Sequence, residues 1–485
     1  MSRFFVSAIA KSSGKTTISI GLAAAFAARG LKVQTFKKGP DYIDPMWLSR
    51  ASGRASYNLD FNTQSPTEIL ATYGHGLGEA DLALIEGNKG LHDGVDPRGS
   101  DCSAALAKLL RAPIVLIVDT IGMARGIAPL LLGYRSFDPE VEIAGVILNK
   151  VGAARQESKL RQAIENYTDV KVLGAVGRDG GLAVDERHLG LTTPSEATQA
   201  SSIIARARDV VLQGVDLAAL LAAASRPEPA KMPLLRGVSA EDVTIAVARD
   251  AAFGFYYSDD LEALQRAGAR LKFFDALHDR KLPPCDGLLI GGGFPETAAA
   301  ALAANGSLRA DIRAKIEAGL PSYAECGGLM YLSRSISYRG ACHEMVGVIP
   351  ADAVMGEKPQ GRGLVRVKET ADAPWPAFGQ GQPFEPTPAH EFHYARLENI
   401  APDLRYAYRM ERGFGIDGHR DGIVIANLLA SFTHLRDSSR CRWAERFVSF
   451  IRTQKTQRQS LASPACGERV GTDSARTSSR MRATA

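Results

Sequence analysis

Residues 8–21 read AIAKSSGKTTISIG, and the reading of this stretch decides the fold around it. It follows the apolar run FFVSAI (4–9) and leads into the alanine-rich LAAAFAARG (22–30), which is the order of a strand, a tight loop and a helix. Phosphate binds where such a loop aims backbone N–H groups inward at a helix N-terminus, with a lysine to neutralise charge and a hydroxyl to reach a divalent cation. Ser13, Gly14, Lys15, Thr16 and Thr17 supply those parts. The full pattern, GxxxxGK followed by Ser or Thr, also needs glycine where this chain has Ile9, so only the second half of the signature is present. A helix N-cap rich in Ser and Thr is the plainer alternative.

Working outward, apolar β-branched runs alternate with helical patterns: KVQTFKK (32–38), LALIEG (82–87), PIVLIVDT (113–120) and EIAGVILNKV (142–151). That rhythm predicts a parallel sheet with crossover helices. Around residues 217–243 the period is lost and proline and charge enter, as in an exposed linker. A second alternating series follows, from VTIAVARD (243–250) through DGLLIGGG (286–293) to SYAECGGLMYL (322–332). The expected organisation is a first α/β domain over 1–224, a linker over 225–241, a second α/β domain over 242–452 and a disordered tail over 453–485, where Ser, Thr, Arg and Gln replace large apolar residues.

Composition narrows the function classes. Hydrophobic residues are 45% and charged residues 23%, ordinary for a soluble globular protein, and no apolar run is long enough to cross a bilayer. The N-terminus shows neither an apolar core of leader type nor a small-residue cleavage site, so a cytoplasmic protein is expected. The formal net charge of +5 comes partly from the last thirty or so residues, and without basic–aromatic interleaving nucleic acid is not an expected partner. The six cysteines (102, 285, 326, 342, 441 and 466) form no CxxC pair, which argues against a zinc site or disulfide framework and leaves room for a nucleophile.

The neighbours of the first loop extend its chemistry. FKKGPDYIDP (36–45) places Lys37, Lys38, Asp41, Tyr42 and Asp44 after the second apolar run, where strand ends of a parallel sheet meet a ligand crevice. LALIEGNKGLHDG (82–94) puts Glu86 at the carboxyl end of a strand, the position of an acid that reaches magnesium, with Asn88 and Lys89 in the turn beyond it. Asp119 and Asn149 also close strands. Asn149 is open to two readings, a reader of a base edge or a turn residue.

In the second half, SYAECGGLMYL is a strand, a tight turn and a helix start that set the Cys326 sulfur at a helix N-terminus. A thiolate attacking a carbonyl needs a base and an oxyanion hole; His434 in LASFTHLR (429–436) and the backbone of Gly291–Gly293 in LIGGGFPE (289–296) offer them. PAHEFHYARLE (388–398) contains His390, Glu391 and His393, but zincins space their histidines i and i+4 on a helix, whereas here the residues alternate as along a strand lining the site.

Taken together, SSGKTT, FKKGPDYIDP, LIEGNKGLHDG, VARDAAFGFYYSDDLEAL, LIGGGFPE, YAECGGLMYL, HEFHYAR and LASFTHLR resemble the cobyrinate a,c-diamide synthase family over about residues 3–450. The resemblance implies an N-terminal P-loop domain like dethiobiotin synthetase, which activates a tetrapyrrole acetate with ATP, and a C-terminal class I glutamine amidotransferase-like domain that releases ammonia from L-glutamine. It implies Cys326 as nucleophile, His434 as base, and Gly292 and Gly293 in the oxyanion hole. Ser13, Gly14, Lys15, Thr16, Thr17 and Asn149 fall to ATP, and Thr16, Asp41 and Glu86 to Mg2+. Lys38, Tyr42, Asp44, Asn88 and Lys89 fall to the tetrapyrrole carboxylate substrate. No membrane partner is implied; a homodimer is.

Two departures bear on this. Other class I amidotransferases carry a glutamate two residues after the catalytic histidine, where this chain has Arg436, so no third catalytic member is assigned. Lys11, Asn88 and Lys89 differ from the corrinoid-synthase forms and resemble relatives acting on siroheme or sirohydrochlorin for dissimilatory sulfite reductase, the alternative substrate. An alternative of another class is a P-loop ATPase switch that positions a partner; it would have no use for Cys326, His434 and a glycine hole on an added domain.

Overall fold

The computed structural model describes residues 2–178, 186–187, 190–194, 199–224, 239–376 and 385–462. The first domain runs β1 (Ser2–Ala8), α1 (Lys15–Ala28), β2 (Val33–Lys38), α2 (Ile43–Ser52), β3 (Tyr57–Leu59), α3 (Pro66–Leu77), β4 (Leu82–Glu86), α4 (Ser103–Leu110), β5 (Ile114–Asp119), α5 (Ile127–Phe137), β6 (Ile143–Val151), α6 (Ala154–Tyr167) and β7 (Val172–Gly177). Its seven strands form one parallel sheet in the order β3-β2-β4-β1-β5-β6-β7. Helices cover both faces, so β2 and β4 are buried along their whole length and read as continuous runs rather than alternations. The chain builds to one side of β1 first and crosses to the other after β4. The carboxyl ends of β1 and β4 therefore open onto the crevice where such sheets take ligands. Helix α1 is buried against the sheet and against the helix Ala200–Gly214, which approaches so closely that a Cβ on Gly21 would stand 2.5 Å from the Ala207 carbonyl.

The second domain is built on a nine-stranded mixed sheet. Five neighbouring strands are parallel, in the order Ala269–Phe274, Val243–Ala248, Gly287–Ile290, Ser322–Glu325 and Leu428–Ser431. An antiparallel extension through Arg420–Ile425, Arg405–Arg412 and Gly361–Glu369 ends at Thr387–His393. The HEFH stretch is thus a strand, as its alternation implies.

The last helix, Trp443–Ala462, corrects the expected tail boundary at residue 453. Phe447, Val448 and Ile451 bury its apolar side, and beyond them Arg452 reaches Asp242 and Lys455 reaches Asp286 at 2.9 Å, so a polar composition still has partners. The rest of the expected tail, 463–485, and most of the expected linker, 225–238, lie outside the described residues. Among the described residues no helix is long and apolar enough to cross a membrane.

The two domains meet along β3 and the loops beside it. Tyr57 Oη donates to Glu262 at 2.7 Å, Arg436 donates to the Asn58 carbonyl at 2.9 Å, and the Ser439 N–H donates to Glu68 at 2.6 Å. Tyr42 stacks on Phe255 with ring centroids 5.2 Å apart and planes 3° from parallel.

Candidate active site

In the first loop the turn is made at Ser12 (φ 62) and Gly14 (φ 86), not at Ile9, which explains how the loop forms without the first signature glycine. The Ile9 carbonyl accepts from Tyr134 Oη of α5 at 2.8 Å. Gly14 is demanded twice over: its φ is left-handed, and a Cβ there would lie 2.3 Å from Asn149 Nδ2. Asn149 donates through that nitrogen to the Ser13 carbonyl at 2.8 Å, and Lys150 donates to the Ser12 carbonyl at 2.9 Å while pairing with Asp119 at 2.8 Å. Of the two readings of Asn149, its side-chain nitrogen takes the structural one, bracing the loop from β6. Lys15 is buried at the head of α1, and burial together with the charge of Lys37 lowers its pKa to about 8. Thr17 follows in the first turn of α1.

Thr16 Oγ1 lies 2.7 Å from Glu86 Oε1 and 3.2 Å from Asp44 Oδ2, bringing three ends of the sequence pattern together. Asp44, expected to face substrate, is therefore the nearer partner of Thr16 and Glu86. Asp41, expected beside the metal, instead caps the Asp44 N–H at 3.0 Å and stands 3.9 Å from Lys37. Burial and the neighbouring Asp44 raise the Asp41 carboxyl, and burial raises that of Glu86 against the pull of Lys37. At the centre of these acids sits Lys37, whose ammonium contacts Glu86 Oε1 at 2.8 Å and Asp44 Oδ2 at 2.5 Å. Burial alone would lower the Lys37 pKa; Asp44 and Glu86 overcome it and hold the group charged. The sequence pattern gives no sign that this lysine, rather than Lys38, is the internal counterion. Lys38 Nζ donates to Asn88 Oδ1 at 3.0 Å, and Lys89 stands exposed beside them in a left-handed turn.

Glu86 Oε2 is buried without a partner, and although the Lys37 ammonium occupies Oε1, the oxygens of Glu86, Thr16 and Asp44 are the hard donors that suit Mg2+. Among the described residues no cluster of three or more His, Cys, Asp or Glu side chains is arranged as a metal cage. Thr16 and Glu86 would supply only part of a shell, as is usual for a magnesium ion that keeps waters and phosphate oxygens.

In the second domain Cys326 follows the strand Ser322–Glu325 and caps the helix Gly327–Leu332 with φ 46 and ψ −98, a strained turn that presents its sulfur at the strand's carboxyl end. The Cys326 Sγ lies in a pocket lined by Gly293, Phe294, Glu296, Phe392 and His393, 3.9 Å from the Phe392 carbonyl. Gly292 and Gly293 pair with Phe253–Phe255, and close quarters exclude side chains there. A Cβ on Gly292 would lie 2.7 Å from His434 Cε1, and one on Gly293 2.0 Å from the Ala252 carbonyl. The Gly293 N–H stands beside Gly327, next to the nucleophile turn, whereas the Gly291 N–H is already given to Tyr256 Oη at 2.9 Å. The Gly291 N–H is therefore engaged within the domain.

His434 is buried and exchanges backbone hydrogen bonds with His390 at 2.8 and 3.3 Å. Its Nδ1 faces Glu325 Oε2 at 3.2 Å and Tyr42 Oη at 3.4 Å. Burial would lower its pKa, but hydrogen bonds to Cys326 and Glu325 raise it to about 10. Tyr42, expected to meet substrate, is thus buried against the second domain's histidine and aromatic residues. Arg436 is turned away from His434 and is buried between Asp259, at 2.5 Å, and the Asn58 carbonyl, so it replaces the missing glutamate in position only.

Comparison with known proteins matches residues 5–191 to the CobQ/CobB/MinD/ParA nucleotide binding domain and residues 244–440 to the CobB/CobQ-like glutamine amidotransferase domain. A protein of Magnetococcus marinus named cobyrinate a,c-diamide synthase is 42% identical over 95% of this chain and 99% of its own length. Proteins of the same name from Methanosarcina acetivorans and Archaeoglobus fulgidus are 38% and 40% identical, over 89% and 90% of this chain and 92% and 94% of theirs.

Proposed function

The chain belongs to the cobyrinate a,c-diamide synthase family, and on that premise we propose that it converts the a and c acetate side chains of a corrinoid, cobyrinate or hydrogenobyrinate, to amides with ATP and L-glutamine. The observation that carries this reading is the coexistence of two sets of residues in one chain. One is a phosphate loop joined to acids at strand ends, and the other a cysteine–histidine pair beside a glycine hole.

Each chemistry follows from its residues. A carboxylate does not yield to ammonia until one oxygen becomes a leaving group, so the acetate oxygen attacks the γ-phosphorus of ATP and ADP departs. The N–H groups of the Ser13–Thr16 turn and Lys15 face the phosphates, Thr16 and Glu86 would hold Mg2+, and Lys38 with Asn88 and Lys89 meets the carboxylates of the ring. Bound Mg2+ would neutralise charge building on the phosphate oxygens. In the other domain the Cys326 proton passes to His434 Nε2, and the thiolate adds to the side-chain amide carbon of glutamine. The resulting oxyanion is met by the Gly292–Gly293 backbone. The C–N bond then breaks as the imidazolium returns its proton to the leaving ammonia. Water hydrolyses the thioester to glutamate, and ammonia displaces phosphate from the acyl phosphate to give the amide. These soluble substrates fit a cytoplasmic setting.

The test incubates the protein with ATP, magnesium and glutamine and, separately, hydrogenobyrinate, cobyrinate or siroheme, counting amides by mass spectrometry. Two amides on a corrinoid are expected. Amidation of siroheme alone would reassign the substrate, and no product with any tetrapyrrole would overturn the synthase reading.

A further inference from the structure

We propose that Glu325, the residue immediately before the nucleophile, is the positioning residue for His434 and fills the place that Arg436 leaves vacant. This rests on the glutaminase reading of Cys326 and His434 and deepens it.

The geometry starts in the sheet. Glu325 and Ser431 end two adjacent parallel strands in register, so the chain leaving Ser431 must pass over the Glu325 side chain. Ser431 Oγ donates to the Thr433 carbonyl at 2.7 Å, closing a turn that delivers His434 three residues on. The carboxylate waiting there is fixed on both oxygens. Oε1 accepts from the Leu435 N–H at 3.0 Å and from Tyr323 Oη at 2.5 Å, and Oε2 faces His434 Nδ1 at 3.2 Å. The Glu325 side chain is 9% exposed and that of His434 3%, so water does not compete for the contact. An imidazole that donates from Nδ1 to a carboxylate presents Nε2 as its exchanging nitrogen, and Nε2 is then the atom that serves Cys326.

The other groups around the ring do not offer a rival. His390 stacks on it at 4.9 Å and 14°, and burial, with His434 and Arg436 nearby, drives the His390 pKa well below normal, so His390 stays neutral. Tyr42 Oη, at 3.4 Å from Nδ1, is a neutral and weaker acceptor whose own pKa burial raises. Arg436 is held by Asp259 and Asp260 over the Tyr257 ring. Among the described residues Glu325 is the carboxylate that faces this imidazole.

Three variants test the proposal by glutamine hydrolysis, ammonia-driven amidation and the pH profile of kcat. E325Q keeps the shape but loses the charge. Its glutaminase kcat is expected to fall by about 100-fold or more, the range of a displaced general base. KM for glutamine should move by no more than about twofold, since the carboxylate does not touch substrate. The alkaline limb of kcat should shift to lower pH, because imidazolium without its carboxylate partner loses its proton sooner. E325D should recover part of kcat. Ammonia-driven amidation, which bypasses this site, should persist in both and reports that they fold. The proposal is overturned if E325Q keeps kcat within about threefold of the parent. It is equally overturned if kcat falls with no movement of the alkaline limb, or if E325Q and E325D lose ammonia-driven amidation alike. C326S separates the premise: glutamine hydrolysis surviving in that variant would overturn the glutaminase reading itself, whatever Glu325 does.

Discussion

Replacing Lys37 by Met keeps the length of a buried side chain and removes the cation on which three carboxyl groups converge. In the folded chain the ammonium is 3% exposed, 2.8 Å from Glu86 and 2.5 Å from Asp44, with Asp41 at 3.9 Å. At an effective dielectric near 20, one unit pair at 2.8 Å attracts by about 6 kcal/mol. Most of that offsets the desolvation of the groups, so the net loss on removing one partner is expected at about 3–5 kcal/mol. The pH dependence has a definite sign. Asp41 and Glu86 already have raised pKa values, Asp41 at about 7, and losing Lys37 raises them further. A carboxyl with a folded pKa above its unfolded value costs stability above that folded pKa, and the cost fades as pH falls through it. K37M should therefore be most destabilised near about pH 8 and recover toward about pH 4. Urea unfolding followed by tryptophan fluorescence across that window measures it, with and without millimolar magnesium, which should recover part of the loss through the same oxygens. A loss under about 1 kcal/mol, or one indifferent to pH and magnesium, would refute the assignment of Lys37 as an internal counterion.

Cys326→Ser should abolish glutamine-driven amidation while ammonia-driven amidation continues, read as amide product by mass spectrometry with each nitrogen source. Gly14→Ala must accept both a left-handed backbone, at about 1–2 kcal/mol, and a collision with Asn149, so nucleotide affinity should fall by at least about tenfold in calorimetry. Tyr42→Phe deletes the hydroxyl facing His434 but keeps the Phe255 stack, and should cost about 1 kcal/mol in the urea midpoint. Tyr42→Ala, which also removes the ring between the domains, should cost about 3–5 kcal/mol in the same experiment.

What could be read beforehand was what a short stretch of chain determines alone. The phosphate loop, the acid ending β4 and the cysteine turn are each a few consecutive residues whose backbone course sets their chemistry, and both α/β domains follow from the spacing of apolar runs. What escaped depends on residues far apart in sequence. The contact of Glu325 with His434 spans 109 positions, and that of Tyr42 with His434 spans 392. No local pattern announces either. Asp41 and Asp44 could not be told apart beforehand because their placement depends on α2 beginning at Ile43: Asp41 accepts from the Asp44 N–H, and Asp44 turns inward to Thr16 and Lys37. The polar end of the final helix reads as a free tail in sequence because its partners, Asp242 and Asp286, lie 210 and 169 positions away along the chain.

The turn from Gly39 to Asp44 sends Asp44 to Thr16 and Tyr42 to His434, so one bend of chain touches both candidate sites. The consequence is for recombination. A chimera that joined this phosphate-binding domain to a foreign glutaminase would have to import the receptor for that bend as well, namely Phe255, Tyr257 and His434. Without it, Tyr42 would be left facing a surface that evolved without a seat for it. The unit of exchange in such enzymes is then the domain together with the six-residue bend that its partner supplies.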